Sequence, residues 1–392
     1  MFGLDHLLSP VETATFLESD YGTRACHIPG TESKFADLFG WEDLSNVVND
    51  RSAFYAKMKL ILDKAKLPDE QLEYMDHWLR RGATLVVDSL DSLDPVVGRF
   101  AQTLAREVNT RVSINCYVSW TRHQGFDLHY DYHDVFVVQT AGRKAWKVFE
   151  PTVDAPIEQQ RAGPQSNPPL NGKPYLECEL TAGDVLYVPR GHWHYAVASD
   201  PSVHLTVGLA PRSAIDLLQW LMLRLMNQDA LLRRDFPLVR AAALGGERDD
   251  GSLEAHVEAV SARLREVLDP ERLTPLMLEY CMLSNGIRRD FQFPLEATIG
   301  ESITPQTCFA PEASQKFLVI GGGDGGSATV LARGHVLQLG SVPRPILQRC
   351  FEQPGRVTGA ELLALSPGTP WETIRGFLQT MFERGLFRVC AD

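Results

Sequence analysis

The sequence predicts an α+β protein: a strand-rich block set between helical regions and followed by a small mixed region. Three observations predict it. Apolar residues recur at helical spacing over 1–82 and again over 212–300. Between 83 and 211 they gather instead into short runs rich in Val, Tyr, Phe and Thr, bounded by Gly, Pro or Asp. Residues 301–392 return to small strands and short helices.

In chain order, FADLFGWEDLSNVV and AFYAKMKLILDKA carry the first helical spacing. The strands follow as ATLVVDSL, RVSINCYV, DVFVVQT, AWKVFE, DVLYVP and SVHLTVGLA. Pro151–Tyr175 holds six prolines between two of them, a length that predicts a lid or recognition loop. In 212–300, Leu253, Val257, Val260, Leu264, Val267 and Leu268 form one stripe, which suits a core or a dimer interface, and 241–252 reads as the turn before it. LQRCFEQ, GAELLALS and WETIRGFLQTMFERGLFRV, two or three short helices and a terminal hairpin, look like a winged helix. The expected domains are therefore 1–211 (a helical segment, 1–82, and a β core, 83–211), 212–300 and 301–392, in line with roughly 150 residues per domain.

Composition removes several functions. The 392 residues carry a net charge of −12, which disfavours broad binding to nucleic acid or anionic membrane and suits a basic protein or peptide partner. Region 301–392 has eight Lys+Arg against eight Asp+Glu, and its natural recognition helix offers only Arg375 and Arg384, so no DNA partner is expected. Seven scattered cysteines without a C-x-x-C pair fit free thiols in a reducing compartment. The N-terminus lacks a basic stretch before an apolar one, and AIDLLQWLMLRLM is broken by Asp216, Gln219 and Arg224. The expectation is a soluble, cytoplasmic chain with no membrane partner.

Gly125–Pro151 carries the most chemistry. His129 and Asp131 stand two apart at the head of a strand, so both side chains leave one face, where a rigid scaffold can offer them to a metal. Alone, such a pair is more often a plain polar pair. His194 follows in AGDVLYVPRGHWHYAV, where Gly191–His194 reads as the turn leaving a buried strand. Two imidazoles and a carboxylate with open positions make the facial triad of non-haem Fe(II) oxygenases. After a predicted hairpin turn at Thr140–Arg143, Lys144, Trp146 and Val148 share a face of the return strand. A lysine aimed into a strand-lined cavity is costly unless it meets an anion, which a dicarboxylic cosubstrate would supply; an exposed lysine beside Arg143 and Lys147 is the plainer reading.

The pattern H-x-D-x-x-D-V-F-x-x-Q-x-x-G-x-K-x-W, then G-D-x-L-Y-x-P-x-G-x-x-H and HLTVG, resembles the jumonji-C 2-oxoglutarate oxygenases. Within them it is most similar to the ribosomal oxygenases, which hydroxylate ribosomal proteins; Asn115-Cys116-Tyr117 resembles the Asn-x-Tyr strand of that group. The resemblance implies a double-stranded β-helix (cupin) core with N-terminal helices, a helical dimerisation region and a winged-helix-like end. It implies Fe(II) on His129, Asp131 and His194, and 2-oxoglutarate on Lys144 with Tyr117 and Asn115 helping. With O2, the implied reaction hydroxylates a side-chain carbon of a ribosomal or ribosome-associated protein, and the implied state is a homodimer. Lys144 departs from the arginine of the bacterial arginine-hydroxylating members and is more like the eukaryotic histidine-hydroxylating ones. Two other readings stay open: a hydroxylase tailoring a ribosomally made precursor peptide, and a non-enzymatic cupin-like binding or regulatory protein.

Other residues invite a role. His133 could replace a ligand if the strand is regular, His192 reads as a neighbour of the metal turn, and His123, His204 and Asp134 could line the cavity. Gly321–Gly326 lacks the Lys and Ser/Thr of a phosphate loop and reads as a turn.

Overall fold

Strand pairing organises Met1–Pro211, one of two compact units; Arg212–Asp392 is the other. The structure is a computed structural model. It describes residues 2–50, 54–120, 126–160, 172–237, 252–283, 303–311, 318–321, 328–332, 335–340, 342–353 and 355–390. His123, most of the 241–252 turn, residues 161–171 of the proline-rich loop and Gly322–Gly326 lie outside them.

The first unit contains helices α1 (Leu4–Leu8), α2 (Thr13–Ser19), α3 (Trp41–Asn49), α4 (Phe54–Lys57), α5 (Met75–Arg80) and α6 (Pro95–Glu107). Its strands are β1 (Cys26–Ile28), β2 (Met58–Leu62), β3 (Ala65–Lys66), β4 (Thr84–Val87), β5 (Val112–Ser119), β6 (Asp134–Ala141), β7 (Lys144–Phe149), β8 (Leu176–Leu180), β9 (Val185–Val188), β10 (Trp193–Ala198) and β11 (Ser202–Leu209). The major sheet runs β1-β9-β6-β11-β5-β4-β2-β3 and the minor one β10-β7-β8. Their inner faces share a core: Val135, Val137, Leu186 and Val188 meet Trp146, Val148 and Leu180. Alternation along β6, β7 and β9 puts these residues inward. Helix α6 packs against β5 through Val97, Phe100 and Leu104. Asp94 starts that helix by accepting from the Val96 and Val97 amides at 2.8 and 2.9 Å, with Pro95 in the first turn.

Residues 1–82 are less helical than their apolar spacing predicts. The segment KMKLIL satisfies a two-residue period as well as a helical one, and Met58 and Leu60 are buried. Pairing of Met58–Ile61 with Val87–Thr84 decides between the two periods, a tertiary choice that local propensity cannot make.

The hairpin expected at Thr140–Arg143 is instead a crossing between sheets, since β6 pairs with β9 and β11 in the major sheet and β7 with β8 and β10 in the minor one; the turn depends on Gly142. Its φ is +66°, and a Cβ there would fall 1.9 Å from the Pro201 carbonyl oxygen. Gly142→Ala is expected to lower stability by about 1–3 kcal/mol, the cost of a strained backbone plus overpacking, measurable as a fall in the urea midpoint.

The second unit begins with α7 (Ala214–Gln228), α8 (Ser252–Val267) and α9 (Pro270–Leu283). Ser213 and Asp216 cap α7 reciprocally: the Ser213 amide reaches Asp216 Oδ2 at 2.8 Å and the Asp216 amide reaches Ser213 Oγ at 3.3 Å. Leu221, Leu225 and Val267 are buried together with Leu273 and Leu276 packed on them. Of the predicted stripe, Val267 is buried while Val257 and Leu268 are exposed.

Strands β12 (Cys308–Pro311), β13 (Leu318–Gly321), β14 (Ala328–Ala332) and β15 (His335–Leu339) follow, then α10 (Arg344–Leu347), β16 (Val357–Thr358), α11 (Gly359–Leu365), α12 (Trp371–Glu383) and β17 (Phe387–Val389). They make sheets β16-β12-β17 and β13-β14-β15 over a core that includes Phe309, Leu362, Phe377, Leu378 and Phe387. Among the described residues no helix is long and apolar enough to cross a membrane.

Candidate metal centre

A pair of backbone hydrogen bonds brings His129 and His194 together. The His129 amide donates to the His194 carbonyl at 3.2 Å and the His194 amide returns the bond to the His129 carbonyl at 2.7 Å. Asp131 joins them because the Gly191 amide donates to its carbonyl at 2.8 Å. The rings of His129 and His194 lie 4.5 Å apart, and Asp131 Oδ2 is 3.7 Å from His194 Nε2. One ligand atom from each residue lies within 4.8 Å of the others, a group of donors that could hold a metal ion.

The local frame differs from the sequence expectation. His129 and Asp131 precede β6 in an irregular segment, so the bridge to β10 orients them and not the pleat of a strand. His194 lies inside β10, not in the turn before it.

Two carbonyls fix the imidazoles. His129 Nδ1 is 2.7 Å from Asp127 O and His194 Nδ1 is 3.0 Å from His192 O. A carbonyl can only accept, so each Nδ1 carries the proton and each Nε2 keeps its lone pair for the metal. Burial, reinforced by His129 and opposed by Asp131, pushes His194 down to about 4. That keeps the ring neutral, the form a metal binds.

These residues line a cavity of about 490 Å³ with Lys144, Tyr117, His204, Thr84, Trp146 and Thr206 on its wall. Lys144 is 6% exposed, and its Nζ donates to Ser119 Oγ at 3.1 Å, itself 3.2 Å from Thr84 Oγ1. Burial lowers the Lys144 ammonium to about 7. Trp146 Nε1 and His204 Nδ1 are buried with no hydrogen-bond partner among the described residues. A small dianion would satisfy a buried cation and an orphaned donor at once, so the wall fits a dicarboxylate.

The remaining predicted residues divide. Tyr117 stacks on His204 at 5.1 Å with an interplanar angle of 4°. Burial, then Asp131 and Asp88, raise its hydroxyl pKa, while a hydrogen bond from Asn115 pulls the other way. Asn115 stands behind the wall, where its Oδ1 also accepts from the Ser89 amide at 2.8 Å. His133 reaches the cavity wall, against Gly208, where a Cβ would come within 2.9 Å of its ring. His192 bonds the Tyr175 hydroxyl at 2.7 Å, and Asp134 accepts from the Tyr187 hydroxyl at 2.7 Å; neither lines the cavity. Thr84 and Ser119 carried no sequence signal of their own, because only the β4–β5 register sets them opposite each other. Thr206 was legible: it shares a face with His204 in HLTVG.

Residues 93–217 match the JmjC domain family. The chain is 34% identical over 170 residues to the Drosophila sechellia protein named bifunctional lysine-specific demethylase and histidyl-hydroxylase NO66, covering 41% of this chain and 26% of that protein. It is 32% identical over 136 residues to Bos taurus ribosomal oxygenase 1, covering 34% and 20%. The chain thus spans about a quarter of the length of these curated relatives. Among solved structures it is similar to the Escherichia coli ribosomal oxygenase YcfD, with a TM-score of 0.61 and 17% identity over 97% of this chain and 98% of that one. A YcfD complex with cobalt and 2-oxoglutarate gives a TM-score of 0.61 at 18% identity, over 97% and 99%. The fold is therefore of the JmjC cupin type.

Proposed function

We propose that this chain is an Fe(II)- and 2-oxoglutarate-dependent hydroxylase acting on a side-chain carbon of a ribosomal or ribosome-associated protein. One observation carries the reading: His129, Asp131 and His194 converge on the cavity whose wall holds the buried ammonium of Lys144. Bound iron with 2-oxoglutarate and O2 would supply oxidative decarboxylation coupled to oxygen insertion into a C–H bond. His129 and His194 would hold the iron through Nε2 and Asp131 through a carboxylate oxygen. Lys144 would pair with the distal carboxylate, its ammonium held by the Ser119 hydroxyl, which Thr84 in turn bonds. Tyr117, Trp146 and His204 wall off water, and Asn115 sets the Tyr117 hydroxyl. Exposed Asp127 and Lys64, an ion pair of 2.5 Å, stand at the cavity lining nearest solvent.

The test is intact-protein mass spectrometry of the host's ribosomal proteins incubated with the enzyme, Fe(II), ascorbate and 2-oxoglutarate. One added oxygen on one protein, missing with the Asp131→Ala variant, supports the reading. Cosubstrate consumption without a modified ribosomal protein moves the substrate to peptides, and neither consumption nor iron binding leaves a non-enzymatic cupin.

The same reading makes the protein a cytoplasmic homodimer with a winged-helix-like end. Support for the dimer comes from α7, whose outer residues Ile215, Leu218, Met222, Leu223 and Met226 are all exposed, an apolar row suited to a second copy. Light scattering at micromolar concentration is expected to give about twice the 43.7 kDa chain mass, and a monomer would remove the dimer.

A further inference from the structure

The second unit holds two cysteines at opposed positions of neighbouring strands. The β12–β17 register pairs Phe309 with Val389 and Ala310 with Arg388, so Cys390 stands opposite Cys308. The Cys390 amide donates to the Cys308 carbonyl at 2.8 Å. Directly opposed antiparallel residues have Cα atoms about 4.5–5.5 Å apart and side chains on one face. The backbone bond makes this a hydrogen-bonded pair, with Cα atoms about 5.5 Å apart, inside the about 4.4–6.8 Å that a disulfide spans. The two side chains already hydrogen-bond, and both residues are half-buried, open to a small oxidant. Cys350 of the same unit differs: it lies buried in the core.

We propose that Cys308 and Cys390 form a reversible redox pair that closes to a cross-strand disulfide under hydroperoxide. One sulfur attacks the peroxide; the O–O bond breaks, the sulfur gives up two electrons to become a sulfenic acid, and water leaves. The second thiol then attacks that sulfur, forms the S–S bond and releases the hydroxyl as water with its own proton. In sum, one hydrogen peroxide and two thiols give one disulfide and two waters. Burial, with the hydrogen bond to Cys390, pushes the Cys308 thiol up to about 11, so it is held as the thiol at neutral pH. The bond would join β17, which places Phe387 in the core, to the central strand β12. Closing it ties β17 covalently to β12.

The experiment uses the full reduced chain, brief hydrogen peroxide treatment, thiol alkylation and peptide mapping. The expected result is loss of two of the seven alkylatable thiols, a linked peptide pair containing Cys308 and Cys390, and reversal by dithiothreitol. Amide exchange at residues 387–390 should slow in the oxidised form. Cys390→Ser should abolish the link, and Cys281→Ser should keep it. Recovery of Cys308 and Cys390 still alkylatable, separately oxidised, or linked to other cysteines overturns the pair.

Discussion

Asp131→Ala is expected to cost the protein both its metal and its turnover while leaving the fold in place. Groups that merely support a ligand are worth about 10- to 100-fold in metal affinity or activity, so loss of the only carboxylate in the group should exceed about 100-fold. The fold should survive because Asp131 is tied in through its backbone, the carbonyl receiving the Gly191 amide, and not through its side chain. Co(II) titration followed by absorbance would read the metal, and circular dichroism the fold. His129→Ala should behave alike. A variant that binds metal normally and turns over would dismiss the ligand set, whatever the substrate proves to be.

Cosubstrate binding is expected to weaken as the pH rises above about 7, because Lys144 must gain a proton to meet a carboxylate. Burial holds the free ammonium near 7, well below the usual lysine value. A bound carboxylate restores the charged form, so binding at pH 8 takes up a proton, and affinity should fall about tenfold per pH unit above 7. The folding consequence has the opposite sense. Between about pH 7 and the unfolded lysine value, the unfolded chain binds the proton and the folded free protein does not. Stability from this group therefore rises with pH in that window, by up to about 1.4 kcal/mol per unit. Calorimetry of 2-oxoglutarate binding in two buffers of different ionisation enthalpy would count the proton. Lys144→Arg should remove the pH dependence, since a guanidinium stays charged, and Lys144→Ala should raise the 2-oxoglutarate requirement at every pH. A requirement unchanged in Lys144→Ala would take Lys144 out of the site.

Much of the site was legible before any coordinates. The strand runs containing Asn115, Lys144 and His204 alternate clearly, and a period of two reveals which side chains share a face. The order of His129, Asp131, Lys144 and His194 along the chain carried the metal and cosubstrate expectation. What the pattern missed is also specific. It read KMKLIL as helix because a short apolar run satisfies both periods. It overlooked β8, although LECEL alternates apolar and charged residues strictly, and it placed His194 in a turn because Gly191 sits just before it.

By itself, then, the sequence determined the strand-rich core and the face from which Lys144 projects, because these follow from local periodicity, and the motif resemblance pointed to the residues of the candidate centre. Tertiary structure alone decided the rest. The bridge between His129 and His194 spans distant segments, and so does the register that sets Ser119 beside Thr84 under Lys144. Register also decided that Cys308 faces Cys390. Each of these is a pairing between strands remote in sequence. Such pairings are chosen by the summed hydrogen bonding and burial of whole strands, which no local window of residues contains.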